Sequence, residues 1–169
     1  GFVINGPVAG DSSGTSVAGA GDFNGDGLAD LIIGAMWSYS TSFRAGRTYV
    51  VYGQTANNAV DLADVMHGSG GFVINGQASG DFSGNSVASA GDVNGDGFND
   101  LIVGAWWSDA PGFLTDAGRS YVIFGTASPT NIDLSTIAGG TGGFVINGQA
   151  NGDFSGKSIA SAGDVNLSL

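Results

Sequence analysis

Asp22, Asn24, Asp26 and Asp30 stand at positions one, three, five and nine of one short stretch, and Asp92, Asn94, Asp96 and Asp100 repeat the same residue types at the same spacing. Side-chain oxygens at alternating positions are ligands for a hard cation, and calcium takes six to eight oxygens in an irregular shell. The backbone carbonyls of the seventh position, Leu28 and Phe98, extend each set. Gly27 and Gly97 at position six allow the sharp turn that brings alternate side chains round to one centre. The stretch starts like the helix-flanked calcium loop but closes with Asp at nine, where that motif closes with Glu at twelve, so it is not an EF-hand. Polar hairpin turns also gather Asp and Asn. The identical ligand placement in both copies, each between apolar runs, favours metal over turn. Magnesium fits less well because it keeps its waters. The expectation is two calcium ions per chain, held structurally.

Composition points the same way. The chain has 169 residues and a formal net charge of −11, and all fifteen acidic residues are Asp. Six of them lie in the two loops, so two bound calcium ions would bring the charge to −7 (−11 + 4). The only cationic side chains are Arg44, Arg47, Arg119 and Lys157. That excludes a nucleic-acid surface, which needs clustered Lys and Arg. Glu is absent and Lys nearly so, removing the charged helix formers, while Gly, Ser, Val and Ile are abundant. An all-β protein rich in turns follows. No run is long enough for a membrane-spanning helix, and no signal-peptide pattern opens the chain. The absence of Cys rules out a disulfide framework. Weak calcium sites suit a calcium-rich compartment, so the expected location is extracellular or on the cell surface.

The elements that must position the loops come as a repeat. Gly1-Phe2-Val3-Ile4-Asn5-Gly6 returns at Gly71 and Gly143, spacings of 70 and 72 residues. Each unit holds Ser-Val-Ala, the acidic loop, Asp-Leu-Ile-Ile/Val-Gly-Ala and Gly-Arg-Thr/Ser-Tyr-Val. Four short β-rich runs divided by turns predict a four-stranded antiparallel sheet per unit. Gly80-Asp81-Phe82-Ser83-Gly84, matched by Asp11 and Asp153, lacks the alternating ligands and is expected to be an Asx-type turn.

Gly14-Thr15-Ser16-Val17-Ala18, the Asp-x-Asn-x-Asp-Gly-x-x-Asp loop, Leu31-Ile32-Ile33-Gly34-Ala35 and Tyr52-Gly53 together resemble the FG-GAP repeat of integrin alpha-chain propellers and their bacterial relatives. Gly104-Ala105 and Phe124-Gly125 extend the resemblance to the second unit. Met36 and Trp106 stand where the family usually has Pro. The resemblance implies β-propeller blades, with the calcium loop joining the two innermost strands and Gly-Phe-Val-Ile-Asn-Gly as the outermost strand of the preceding blade. The chain then divides into an outer strand and turn at 1–13, a first blade at 14–83, a second at 84–155, and a truncated start of a third at 156–169. That third copy reaches Asp164 and Asn166 without the later ligands and is expected to bind no calcium.

No catalytic residue is expected. His67, the only His, faces Gly139 at the equivalent place in the second unit, which suits a solvated loop residue. The full phosphate-loop pattern is not met. The clustered Asp residues stand where a cation would neutralise them rather than as an acid–base pair. Trp37, Trp106 and Trp107 could stack on a sugar, although such aromatics commonly pack between blades. Two function classes remain: a calcium-stabilised adhesion or structural module with protein partners, and a carbohydrate-binding or enzyme-accessory domain on the same scaffold. Two blades fall short of the four to eight that close a propeller. Self-association through open blade edges, as ring or filament, is therefore expected.

Overall fold

Asp-Leu-Ile-Ile-Gly-Ala and Asp-Leu-Ile-Val-Gly-Ala are apolar at nearly every position, which a strand needs when both of its faces are covered. A computed structural model describes residues 1–112 and 114–162 and places both segments at the centre of their sheets. In chain order the elements are β1 (Ile4–Asn5), β2 (Ser16–Gly21), β3 (Asp30–Ala35), β4 (Arg47–Val51), β5 (Val60–Asp61), α1 (Leu62–Met66), β6 (Gly71–Asn75), β7 (Val87–Gly91), β8 (Asp100–Ala105), β9 (Arg119–Ile123), β10 (Ile132–Asp133), α2 (Leu134–Ala138) and β11 (Gly143–Asn147).

Strands β2, β3, β4 and β6 form one antiparallel ladder, and β7, β8, β9 and β11 form the second. The acidic loops join β2 to β3 and β7 to β8. Gly-Phe-Val-Ile-Asn is the outer strand of each sheet, as β6 and β11. These are propeller blades. They are stitched together at the rim, where β10 of the second unit pairs in parallel with β6, Ile132 opposite Ile74. β1 and β5 make the same parallel pair one blade earlier.

Period-2 alternation divides the core between two faces. Ile32, Val50, Phe72 and Ile74 point toward the second blade and meet Val87, Leu101, Val103 and Tyr121. Ile33, Tyr49, Val51 and Val73 point the other way, under Leu62 and Val65 of α1. The blades approach so closely that a Cβ on Gly34 would collide with the carbonyl oxygen of Gly84, which accepts a hydrogen bond from Ser16 Oγ at 2.8 Å. Glycine at 34 is thus a requirement of blade spacing.

The structure departs from the sequence expectation in two places. Each unit contains a one-turn helix, α1 or α2, that the all-β reading omits. Asp61 caps α1 by accepting from the Ala63 N–H at 2.9 Å, an N-cap that satisfies a donor with no intrahelical partner. His67, exposed in the turn that follows α1 as expected, is also the C-cap of that helix, as Gly139 is of α2. Ser158–Ala162, in the truncated start of the third blade, forms no strand among the described residues. The Asp164 and Asn166 positions lie outside the described residues.

Candidate metal centre

Each acidic loop leaves its first strand through a register shift, between Gly19 and Gly21 in β2 and between Ser89 and Gly91 in β7. Such a bulge bends the strand and re-aims the chain. The loop then turns on glycines in the left-handed region, Gly27 at φ 88° and Gly97 at φ 92°, where a side chain would be strained.

Both loops fold by the same hydrogen bonds. Asp22 Oδ1 accepts from the Asp26 N–H at 3.0 Å and Oδ2 from the Gly27 N–H at 2.9 Å. Asn24 Oδ1 also accepts from the Asp26 N–H, at 2.9 Å, and Asp26 Oδ1 from the Leu28 N–H at 2.8 Å. The second loop repeats all four with Asp92, Asn94, Asp96 and Phe98. The side-chain oxygens therefore turn inward onto the loop's own backbone.

Asp30 and Asp100 close the loops from inside the protein, at 1% and 0% exposure. Asp30 accepts from the Phe23 N–H at 3.0 Å and the Gly53 N–H at 2.8 Å, tying the loop to the end of β4. Asp100 does the same with Val93 and Gly125. Burial pushes both carboxyls above the ordinary Asp range; the two backbone N–H groups draw them down, and the charges of the loop's other two Asp residues push them up again.

Among the described residues no three acidic or His side chains stand close enough to hold a metal on their own. The donor set of these loops is not purely acidic, however. Asn24, Asn94 and the carbonyls of Leu28 and Phe98 complete it, and oxygens of mixed type are what calcium accepts. Asn24 Nδ2 donates to Asp26 Oδ2 at 3.0 Å, as Asn94 does to Asp96 at 2.8 Å. The residues fit a hard cation by chemistry and order, with the carboxylates held by N–H groups and one amide.

The loops differ in what lies beside them. Phe23 is fully buried and its ring lies 5.3 Å from that of Phe72, whereas the corresponding Val93 is 51% exposed. The first loop is docked onto the second blade: Asn99 N–H donates to the Asp22 carbonyl and Thr126 N–H to that of Phe23, both at 3.2 Å. Sequence spacing carries no sign of this asymmetry.

The second acidic turn is not an Asx turn. Asp81 Oδ2 reaches back to accept from the Ala78 N–H at 3.1 Å, and Asp153 Oδ2 accepts from Gln149 and Ala150. An Asx turn bonds forward, two residues on. Burial pushes the Asp81 carboxyl up to about 6, with the Ala78 N–H and the Ser108 hydroxyl opposing the rise. The folded state then holds this proton more tightly than the unfolded chain. Stability from this group is complete below about pH 4 and falls as pH rises through about 6, by about 3 kcal/mol in all. Asp81→Asn should remove that decline, which urea denaturation at pH 5 and pH 8 measures; a slope unchanged by the substitution contradicts it.

Two short patterns have a plainer explanation in the fold. Gly10-Asp11-Ser12-Ser13-Gly14 fits Gly-x-Ser-x-Gly, with Ser12 at φ 55°. Its counterparts Phe82 and Phe154 adopt the same φ, so this is the repeated turn and not a nucleophile elbow. Gly156-Lys157-Ser158 lacks the Gly a phosphate loop needs five residues earlier, Asn151 standing there. Lys157 Nζ lies over the Trp106 ring, 5.2 Å from its centroid. The three Trp residues belong to an aromatic chain crossing the blades, in which Phe82 contacts both Trp37 and Trp107.

Comparison with known proteins agrees with this architecture. The FG-GAP repeat model matches residues 13–51 and 83–123. Phosphatidylinositol-glycan-specific phospholipase D of Rattus norvegicus is 37% identical over 129 residues, which cover 70% of this chain and 14% of that protein. Integrin alpha pat-2 of Caenorhabditis briggsae is 33% identical over 104 residues, 56% of this chain and 7% of that one. Integrin alpha-3 of Cricetulus griseus is 34% identical over 104 residues, 61% and 9% respectively. The chain thus spans about one seventh or less of these relatives' length. No helix among the described residues is long and apolar enough to cross a membrane. With two copies of one motif, each folded as a four-stranded propeller blade with its acidic loop between the inner strands, this chain is built on FG-GAP repeats.

Proposed function

We propose that both loops bind calcium, two ions per chain, and that the chain is a calcium-stabilised adhesion or structural module of an extracellular or cell-surface propeller. The observation that carries the reading is the identical inward hydrogen-bonding of Asp22, Asn24 and Asp26 and of Asp92, Asn94 and Asp96. Asp30 and Asp100, with the Leu28 and Phe98 carbonyls, would complete each shell. The ion supplies positive charge that offsets the repulsion among three carboxylates. These residues do the rest: they order the loop and fasten the inner hairpin to the end of the third strand.

Catalysis is not placed on this chain. One group of relatives carries the name of a phospholipase, but the aligned part is a small fraction of it, and the candidate ligands here serve a loop rather than a reaction. Protein partners would bind the blade rims. The exposed apolar face of the first blade, around Val17 and Leu31 beside Ile4, is the kind of surface a neighbouring blade covers, from the same chain or another copy.

Calorimetric titration of chelated protein should find two calcium sites, with Asp26→Ala and Asp96→Ala each removing one. Heat independent of both substitutions would defeat the calcium reading. Light scattering on the same calcium-loaded samples reads association, and a monomer at every concentration excludes docking between copies.

A further inference from the structure

At the end of the second blade away from the calcium loops, an open cavity of about 280 Å³ lies between the turn after β6, the segment after β8 and the start of β9. We propose that this cavity is a binding subsite for one ring of a neutral sugar, with Trp107 as its aromatic wall and Gln77, Asp109 and Asp116 as its polar contacts. The inference goes beyond the calcium reading and does not depend on it.

At about 280 Å³ the cavity is at the small end of ligand pockets and suits a single ring. Chemistry narrows it further. Trp107 is 42% exposed, on the rim of a site whose floor is the buried pair Asp81 and Ser108. Gln77 Oε1 accepts from Arg119 Nη1 at 3.0 Å and from Tyr121 Oη at 2.7 Å. Two donors on its oxygen fix the amide, and its NH₂ has no acceptor among the described residues. Arg119 Nε is buried without a partner. Asp109 Oδ1 accepts from the Asp116 N–H at 3.0 Å, and the Asp116 carboxylate has no donor among the described residues. The Gln77 amide and the Asp109 and Asp116 carboxylates therefore bring donors and acceptors to one cavity. A hydroxyl donates and accepts at once and uses both. A cation uses acceptors alone and would face the Arg119 guanidinium.

The repeat supplies an internal comparison. The first blade keeps the framework, with Asp11, Ser38 and Arg47 in place of Asp81, Ser108 and Arg119, and Ser38 Oγ donates to Asp11 at 3.3 Å. It has Pro7, Tyr39 and Arg44 where the second has Gln77, Asp109 and Asp116. In the first blade the Tyr49 hydroxyl is buried without a partner, while the matching Tyr121 hydroxyl holds Gln77. The first blade folds without the Gln and the two acids. Those three residues are surplus to the blade, and all three face the cavity.

The test is ¹H–¹⁵N spectroscopy on the full, calcium-loaded chain, titrated with the methyl glycosides of glucose, galactose and mannose, with N-acetylglucosamine, and with N-acetyl-lysine methylamide as the cationic comparator. At least one sugar should shift the Trp107 indole and Gln77 amide signals saturably, with a Kd on the order of millimolar. Trp107→Ala, Gln77→Pro and Asp109→Tyr should each weaken binding about tenfold or more. The last two install residues the first blade already tolerates, and unchanged amide dispersion verifies folding. No shift with any sugar up to about 50 mM, shifts that survive Gln77→Pro, or tighter binding of the lysine derivative overturns the proposal.

Discussion

Chelating calcium is expected to lower the melting temperature by about 10 °C or more, the largest effect that the calcium reading entails. A ligand present at about a hundred times its Kd, as ~10 mM calcium is for a weak site of ~0.1 mM, stabilises the folded state by about 2.7 kcal/mol per site, and two sites double that. At roughly 2–4 °C per kcal/mol for a chain of this size, the shift is well clear of experimental scatter. The physical source is local. Asp22, Asp26 and Asp30 share one loop with no cationic side chain among them, and the second loop repeats the arrangement. Without a cation the hydrogen bonds within each loop oppose carboxylate repulsion alone. Scanning calorimetry in excess chelator and in millimolar calcium measures the difference, and magnesium at the same concentration should restore little of it. A shift of less than about 2 °C, equivalent to about 1 kcal/mol or less, would exclude a structural ion.

Phe23→Ala is expected to cost about 3–5 kcal/mol, whereas Val93→Ala at the matching position changes stability by about 0.5 kcal/mol or less. Phe23 occupies the second position of the first loop, yet it is fully buried, packed against Phe72 in the core between the blades. Deleting its ring opens a cavity at that interface and loosens the loop that Asn99 and Thr126 clasp from the second blade. The first loop should therefore lose calcium affinity together with stability. Urea denaturation at fixed calcium compares the two variants, and equal losses would refute the asymmetry.

Much of the architecture was legible in the chain. Two near-identical units with four apolar runs each, separated by glycine and aspartate turns, specify two four-stranded antiparallel sheets because strand pairing and turn chemistry are local and recur. The two acidic loops were legible as turns for the same reason, since a loop of nine residues folds on its own side-chain and backbone hydrogen bonds. The short helices were not. Leu62–Met66 and Leu134–Ala138 are five residues each, too short to display a helical period. Their one local signal was an Asp before a Leu, and the two copies use it differently. Asp61 caps its helix, while Asp133 Oδ1 accepts from Asn75 Nδ2 across the blade boundary at 2.9 Å.

What the sequence determined by itself, then, is everything set within one repeat: strand order, the turn glycines, the spacing of oxygens in each acidic loop. Tertiary structure decided whatever depends on which blade stands next to which. Two loops with the same ligand pattern differ in burial: Phe23 is packed into the core between the blades, and Val93 is exposed. The cavity beside Trp107 gathers residues from three separate segments, the turn after β6 and two stretches of the second blade. Short-range chemistry is written along the chain; burial and pairing depend on the partner that folding supplies.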